Sequence, residues 1–140
     1  MTAPGHLSVV HVPEFPPPRG YVNGMIGDGR YLTIAGQIGW NAACELVETS
    51  LLGQFAQALD NVLSVVRAAG GEPSCVAQMT VYVTDMPAYR ACLRDLGPVW
   101  KARFGRHYPA MALVGTTALV EPGALVEIVA VAILPALPLP

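Results

Sequence analysis

"ALVEIVAVAIL", residues 124–134, is the stretch whose reading decides the fold. Every residue in it except Glu127 is apolar, and the turn-forming "EPG" at 121–123 precedes it. A short apolar run bounded by such a turn reads as a strand buried on both faces, the kind found inside a sheet. A carboxylate there costs several kcal/mol unless it is paired or looks into a cavity. One reading of Glu127 is a salt bridge to an arginine across a subunit contact. The other, preferred for a lone acid in a buried strand, is a carboxylate facing a pocket, able to hold a water or shuttle a proton.

Working outward from that strand, "AMALVGTTA" at 110–118 supplies a neighbour. "VAQMTVYVT" at 76–84 alternates cleanly, with Gln78, Thr80 and Tyr82 on one side and Met79, Val81 and Val83 on the other. Leu52, Phe55, Leu59, Val62, Leu63 and Val66 fall on one stripe of a helix, which Thr49 or Ser50 caps and Gly70–Gly71 ends. Asp85 and Pro87 start a second helix through Tyr89, Cys92, Leu93 and Leu96. Gly97–Pro98 is expected to kink or split it before Val99, Trp100 and Phe104 resume. Two short apolar runs flank "GDG" at 27–29, the signal of a hairpin. The order is strands, helix, strand, helix, two strands. It predicts an α+β fold, a mixed sheet with two helices on one face. No element is left to cover the other face, which calls for a subunit partner.

Composition points the same way. Of 140 residues 53% are hydrophobic and 13% charged, against roughly a quarter charged in ordinary soluble domains. One domain spanning 1–140, with an N-terminal extension at 1–19 and a tail at 135–140, has too much surface to hide that much apolar material alone. A permanent interface between copies is the economical explanation. No stretch reaches the roughly 18 uncharged apolar residues of a membrane span. No basic region followed by an apolar run marks a signal peptide at the N-terminus. Cys44, Cys75 and Cys92 lack a CxxC pair and suit reduced, mostly buried thiols in a cytoplasmic protein. A net charge of −2 leaves no basic stripe for nucleic acid. His6, His11 and His107 have no spacing that would assemble a metal site, and neither a phosphate-binding loop nor a nucleophile elbow occurs.

Three further stretches carry candidate chemistry. "IAGQIGW" at 34–40 sets Gly36 and Gly39 around Gln37, with Trp40 just beyond. Small residues at a strand end admit a ligand close to the backbone, and the plainer reading is a β-bulge with a packing tryptophan. Tyr21, after Arg19–Gly20, is either a hydrogen-bonding lid or a core phenol. "HYPAMALVG" at 107–115 leads from His107 and Tyr108 into a strand with Met111 at its mouth.

Taken together these stretches resemble the reactive-intermediate deaminase (RidA, or YjgF) family, from about residue 20 to residue 134. The marks are "RGYVNG", "TIAGQIG", "ALDNVLSVVRAAGG", "QMTVYVTDM", "YPAMALVG" and "GALVEIVAVA", in order and at matching spacing. The resemblance implies a chorismate-mutase-like fold assembled as a homotrimer around a central β-barrel, with a cleft at each subunit boundary. Members of the family hydrolyse enamines or imines released by pyridoxal-phosphate enzymes to a keto acid and ammonia, without metal or organic cofactor. In them an arginine after P-A grips the substrate carboxylate and a glutamate on the last strand orients water. Carried over, the glutamate is Glu127 and the early tyrosine is Tyr21. The arginine position is Met111, a frequent serine is Ala35, a second acid is Val129, and Leu93 is nearest to a helix asparagine. "LRDLGPVW" at 93–100 is a few residues longer than usual.

A thioether cannot replace a bidentate charge-assisted contact. The expectation is therefore a RidA-like enzyme, acting on an enamine, imine or similarly labile small molecule without the usual α-carboxylate. In it Glu127 is catalytic, Tyr21, Met111, Trp40 and His107 shape an apolar pocket, and Ala35, Gly36 and Gln37 fix polar atoms. The alternatives are a tautomerase or cyclase on the same fold, and a non-catalytic homotrimer that binds a small ligand.

Overall fold

The computed structural model describes residues 6–46 and 48–140. Its centre is the strand that opened the sequence reading, here β6 (Val126–Leu134), hydrogen-bonded on both edges. It runs antiparallel to β3 (Arg30–Gln37) on one side and to β4 (Val76–Val83) on the other. β5 (Ala110–Gly115) pairs parallel with β4 and completes a mixed four-stranded sheet in the order β3-β6-β4-β5. The α+β expectation stands.

Alternation decides which residues make the core. Val126, Ile128, Ala130, Ala132 and Leu134 of β6 are buried, as are Met79, Val81 and Val83 of β4 and Ile34 of β3. All of them meet α1 (Leu51–Ala68), α2 (Met86–Ala91) and α3 (Leu93–Phe104). Helix α1 forms because its apolar stripe repeats at three and four residues, and Leu59, Val62, Leu63 and Val66 lose all or nearly all contact with solvent. Burying each is worth about 1.5–3 kcal/mol. Ser50 Oγ caps the helix by accepting from Gly53 N at 3.1 Å, and Gly70, at φ +88°, ends it. Arg103 of α3 grips Asp60 of α1 through both carboxylate oxygens, at 2.7 and 3.1 Å, which fixes the crossing of the two helices.

Three expectations need correction. The "GDG" segment does not close a hairpin onto β3. Instead β2 (Met25–Gly27) pairs antiparallel with β1 (Leu7–Val9), which belongs to the segment expected to be a mere extension. The side that β2 would have offered is occupied: a Cβ on Gly27 would run into the Leu7 side chain and the His6 carbonyl. Gly29, at φ +148°, lies against the Leu134 carbonyl and commits β3 to β6. The second helix splits at Cys92, not at Gly97–Pro98, so three helices cover the sheet where two were expected. Pro98 lies inside α3, where it removes the bond to the Arg94 carbonyl, and the helix runs on because Leu96, Trp100 and Phe104 on either side of it are buried in the core. The cysteines are not mostly buried either: Cys75 is, Cys92 is partly covered and Cys44 is exposed.

No helix covers the second face of the sheet among the described residues, and Tyr31, Val114 and Val129 on that face stay exposed. None of the described helices is long and apolar enough to cross a membrane.

A Cβ on Gly39 would meet Gln54 Cα at 2.7 Å and Gln54 O at 2.9 Å, so Gly39→Ala should cost about 1–3 kcal/mol in urea unfolding. A neutral Gly39→Ala would contradict the packing of α1 on the end of β3.

Candidate active site

The candidate residues divide between the two faces of the sheet. On the open face, Tyr82 of β4 stands in register with Glu127 of β6. Across β6 the β3 ladder slips: Ile34 pairs with Ala130 but Gln37 with Ile128, so Ala35 and Gly36 together oppose Val129. That is a β-bulge, the plainer of the two readings of "IAGQIGW". Its effect is specific, because it brings Gly36 against the Glu127 side chain. A Cβ there would lie 2.8 Å from the carboxyl carbon and overlap Oε1. Ala35, Gly36, Tyr82 and Glu127 thus form one cluster, while Gln37, in register with the helix-face Ile128, touches it only through Nε2, which donates to the Ala35 carbonyl at 3.1 Å. No ion pair joins Glu127 to a cation among the described residues, so the single chain does not neutralise it.

Two polar side chains of α1 hold this cluster in place. Asn61 Nδ2 donates to the carbonyls of Ile38 and Trp40, both at 2.9 Å, fixing the chain just past the bulge. Gln54 is 1% exposed and makes three bonds: Nε2 to Glu48 O and Gly123 O, and Oε1 from Leu125 N at 2.8 Å. Leu125 is two residues before Glu127, so Gln54 sets the point at which β6 enters the sheet. Sequence reading missed Gln54, Asn61 and Tyr82. The signal available for Gln54 was a polar residue beside the apolar stripe of α1, and Tyr82 could be found only once its register with Glu127 was known.

Met111 lies elsewhere. It is in register with Met79, whose side chain is fully buried beneath the helices, so Met111 points to the helix face and Glu127 to the open one. There it lines a cavity of about 190 Å³ between β5 and the helices. Phe55, Leu96 and Trp100 form the buried floor, while Gly20, Leu93 and Gly97 form the exposed rim. Tyr21 stands at its edge, between Gly20 on the rim and Val22, which bridges to Ala110 beside Met111. Tyr89 and Tyr108 add two phenols to the lining. Burial, helped by the neighbouring Cys92 thiol, pushes the Tyr89 hydroxyl above the ordinary tyrosine range and keeps it protonated.

Trp40 and His107 are outside that lining. The Trp40 backbone bridges to Leu46. His107 Nε2 donates to Val76 O at 2.7 Å, while its own carbonyl accepts from Trp100 Nε1 at 3.0 Å. The imidazole ties the loop after α3 to the start of β4, which fixes its donor tautomer.

The family model described as endoribonuclease L-PSP matches residues 13–134. The chain belongs to that family, the reactive-intermediate deaminase group of proteins. A RutC family protein of Pyrococcus horikoshii is 31% identical over 89% of this chain and 95% of its own. A 2-iminobutanoate/2-iminopropanoate deaminase of Homo sapiens is 31% identical over 74% of this chain and 73% of its own. Among solved structures, a conserved Rid family protein of unknown function from Yersinia pestis superposes with a TM-score of 0.83, at 34% identity over 93% of this chain and all of that one. RidA from a Psychrobacter species gives 0.65, at 28% identity over 91% of this chain and 99% of its own. The family therefore includes enzymes named as imine deaminases.

Gln54→Leu should destabilise the protein by about 3 kcal/mol or more, because it strands two carbonyls and an N–H at about 1–3 kcal/mol each. Gln37→Ala, which removes one exposed local bond, should stay within about 0.5 kcal/mol of wild type in the same denaturation assay.

Proposed function

We propose that this protein is a hydrolytic deaminase of an enamine or imine, working with a more apolar pocket than an arginine-clamped site would have. The observation that carries the reading is Glu127, a carboxylate kept in the central strand without a cation beside it, in a family whose members include named imine deaminases. A half-buried acid with no cation beside it among the described residues, on a face that a second copy would cover, carries a desolvation cost that a scaffold would lose by substitution. That cost argues against the purely ligand-binding alternative.

In the proposed reaction a water held by Glu127 adds to the C=N carbon. Its oxygen forms the new C–O bond while Glu127 accepts a proton and passes it to nitrogen. The carbinolamine hydroxyl then gives its proton to Glu127, which delivers it to the nitrogen, and ammonia leaves as the C–N bond breaks and the C=O bond forms, giving a ketone or aldehyde. The protonated form of Glu127 serves the leaving group and the ionised form serves the water, so one carboxyl covers both steps.

Glu127 and the Met111 cavity lie on opposite faces of one sheet, so one chain cannot offer both to one substrate. The reading is therefore a homotrimer in which Glu127 of one copy faces the cavity of the next. Two properties of the chain support this. It exposes 8655 Å² of surface, roughly a quarter more than the ~7,000 Å² typical of a compact monomer of this mass. The helix-free sheet face also leaves apolar side chains in solvent.

The test generates imines in situ, with an amine oxidase for carboxylate-free imines and an amino-acid oxidase for 2-imino acids, and follows ammonia release against a competing trap. Wild type should accelerate release from carboxylate-free imines, and Glu127→Gln should lower that rate by about 100-fold or more. Met111→Arg should move the preference toward 2-imino acids. No acceleration by wild type with any imine would overturn the proposal.

A further inference from the structure

The Met111 cavity is the part of the molecule whose shape and chemistry say most about what enters it. We infer that it receives a single uncharged aromatic ring on a short stem, in preference to a carboxylate or a fused two-ring group. As a statement about the substrate this rests on the deaminase reading above; as a statement about binding it does not.

The wall chemistry selects an aromatic ring. Phe55, Trp100 and Tyr108 present aromatic surface, and Met111 adds a polarisable sulfur of the kind that packs against ring edges. The wall is also preorganised. Trp100 stacks on Phe104 at 4.2 Å between centroids and 14° between planes, and is parallel to Tyr108 at 5.7 Å and 4°. The Trp100 indole nitrogen is already committed to the His107 carbonyl. A rigid aromatic wall spends little entropy when a ring docks against it.

Charge is excluded by the lining. Among the described residues no lysine, arginine or histidine side chain borders the cavity, so an entering carboxylate would shed water and gain no counter-charge there. The polar groups that do border it include two phenols, and the burial of Tyr89 keeps its hydroxyl a neutral donor. A hydroxyl, imine nitrogen or carbonyl oxygen suits such a donor without needing ionisation.

Size sets the upper limit. A dry apolar cavity of about 150 Å³ takes up benzene, whereas pockets for larger ligands run from about 300 Å³. At about 190 Å³ this one has room for one ring and one or two further atoms. At the rim, Leu93 is a large apolar side chain that is 52% exposed and can be changed without disturbing the core.

The test titrates the full-length protein with benzyl alcohol, benzoate and 2-naphthalenemethanol. Binding is read by saturation-transfer NMR and by Trp100 fluorescence in a Trp40→Phe background. Benzyl alcohol should bind saturably, one per chain, with a dissociation constant at or below about 1 mM. Benzoate and the naphthyl compound should bind at least about tenfold more weakly. Met111→Arg should reverse the order of benzyl alcohol and benzoate. Leu93→Asp, at an exposed position that tolerates change, should weaken benzyl alcohol several-fold even if the arginine variant fails to fold. Absence of saturable benzyl alcohol binding would overturn the inference. So would equal affinity for the three probes, or binding indifferent to Leu93→Asp. Ring binding without ammonia release from any imine would remove the deaminase reading and leave the cavity assignment standing. Rapid ammonia release from small alkyl imines without ring binding would do the reverse.

Discussion

A β-strand sends successive side chains to opposite faces, and that period of two governs everything else in this molecule. β6 lies between β3 and β4 and cannot slip without exposing Ile128, Ala130 and Ala132 and burying Val129 and Val131. With its even-numbered residues locked against α1, Glu127 has only the open face. The same parity, carried across β4 into β5, sends Met111 and Leu113 under the helices. The acid and the apolar cavity are therefore set apart by the pleat, and no side-chain rotation could bring them together within one chain.

The remaining features adjust to that division. The bulge at Ala35–Gly36 takes up one extra residue where β3 passes Glu127, and the missing side chain at Gly36 leaves the space the carboxylate fills. Gly39 lets α1 approach the end of β3 so closely that Asn61 and Gln54 reach the main chain on both sides of the acid. On the helix face, the Asp60–Arg103 pair holds α3 against α1, and the Trp100–His107–Val76 chain of hydrogen bonds closes the loop that leads into β5. One helix thus braces the acid and another shapes the cavity. The N-terminal segment joins the two ends of the sheet, from Gly29 beside Leu134 to Val22 beside Ala110.

Much of this was legible because it depends on local pattern. The stripe of α1, its Ser50 cap, the alternation in β4 and the apolar run around Glu127 are read from spacing alone, and the fold class follows from their order, although β6 is buried on its helix face only and leaves Val129 exposed on the other. What escaped depends on contacts between distant segments. β1 displaced the expected hairpin because pairing edges are won in three dimensions, and "GDG" specifies a turn but not a partner. Cys92 broke the second helix where Gly97–Pro98 was expected to, since burial of Leu96, Trp100 and Phe104 in the core carries the helix through the proline. His107 was grouped with Met111 because four residues separate them, yet its ring turns back to Val76. Placing Met111 and Glu127 in one pocket required the homology-derived trimer from the outset. Within a chain, residue parity forbids it.

In the proposed trimer each site is completed by two copies of the chain, one giving Glu127 and the next giving the apolar cavity. Mixed oligomers test this directly: Glu127→Gln chains and Leu93→Asp chains, each impaired alone, are unfolded together in equal amounts and refolded. With random assembly, sites pairing an intact acid with an intact cavity make up one in four, so activity should rise above the mean of the two parents and reach at least about a quarter of the wild-type rate. Activity that stays at the level of the separate parents would contradict the account, because each chain would then carry its whole site.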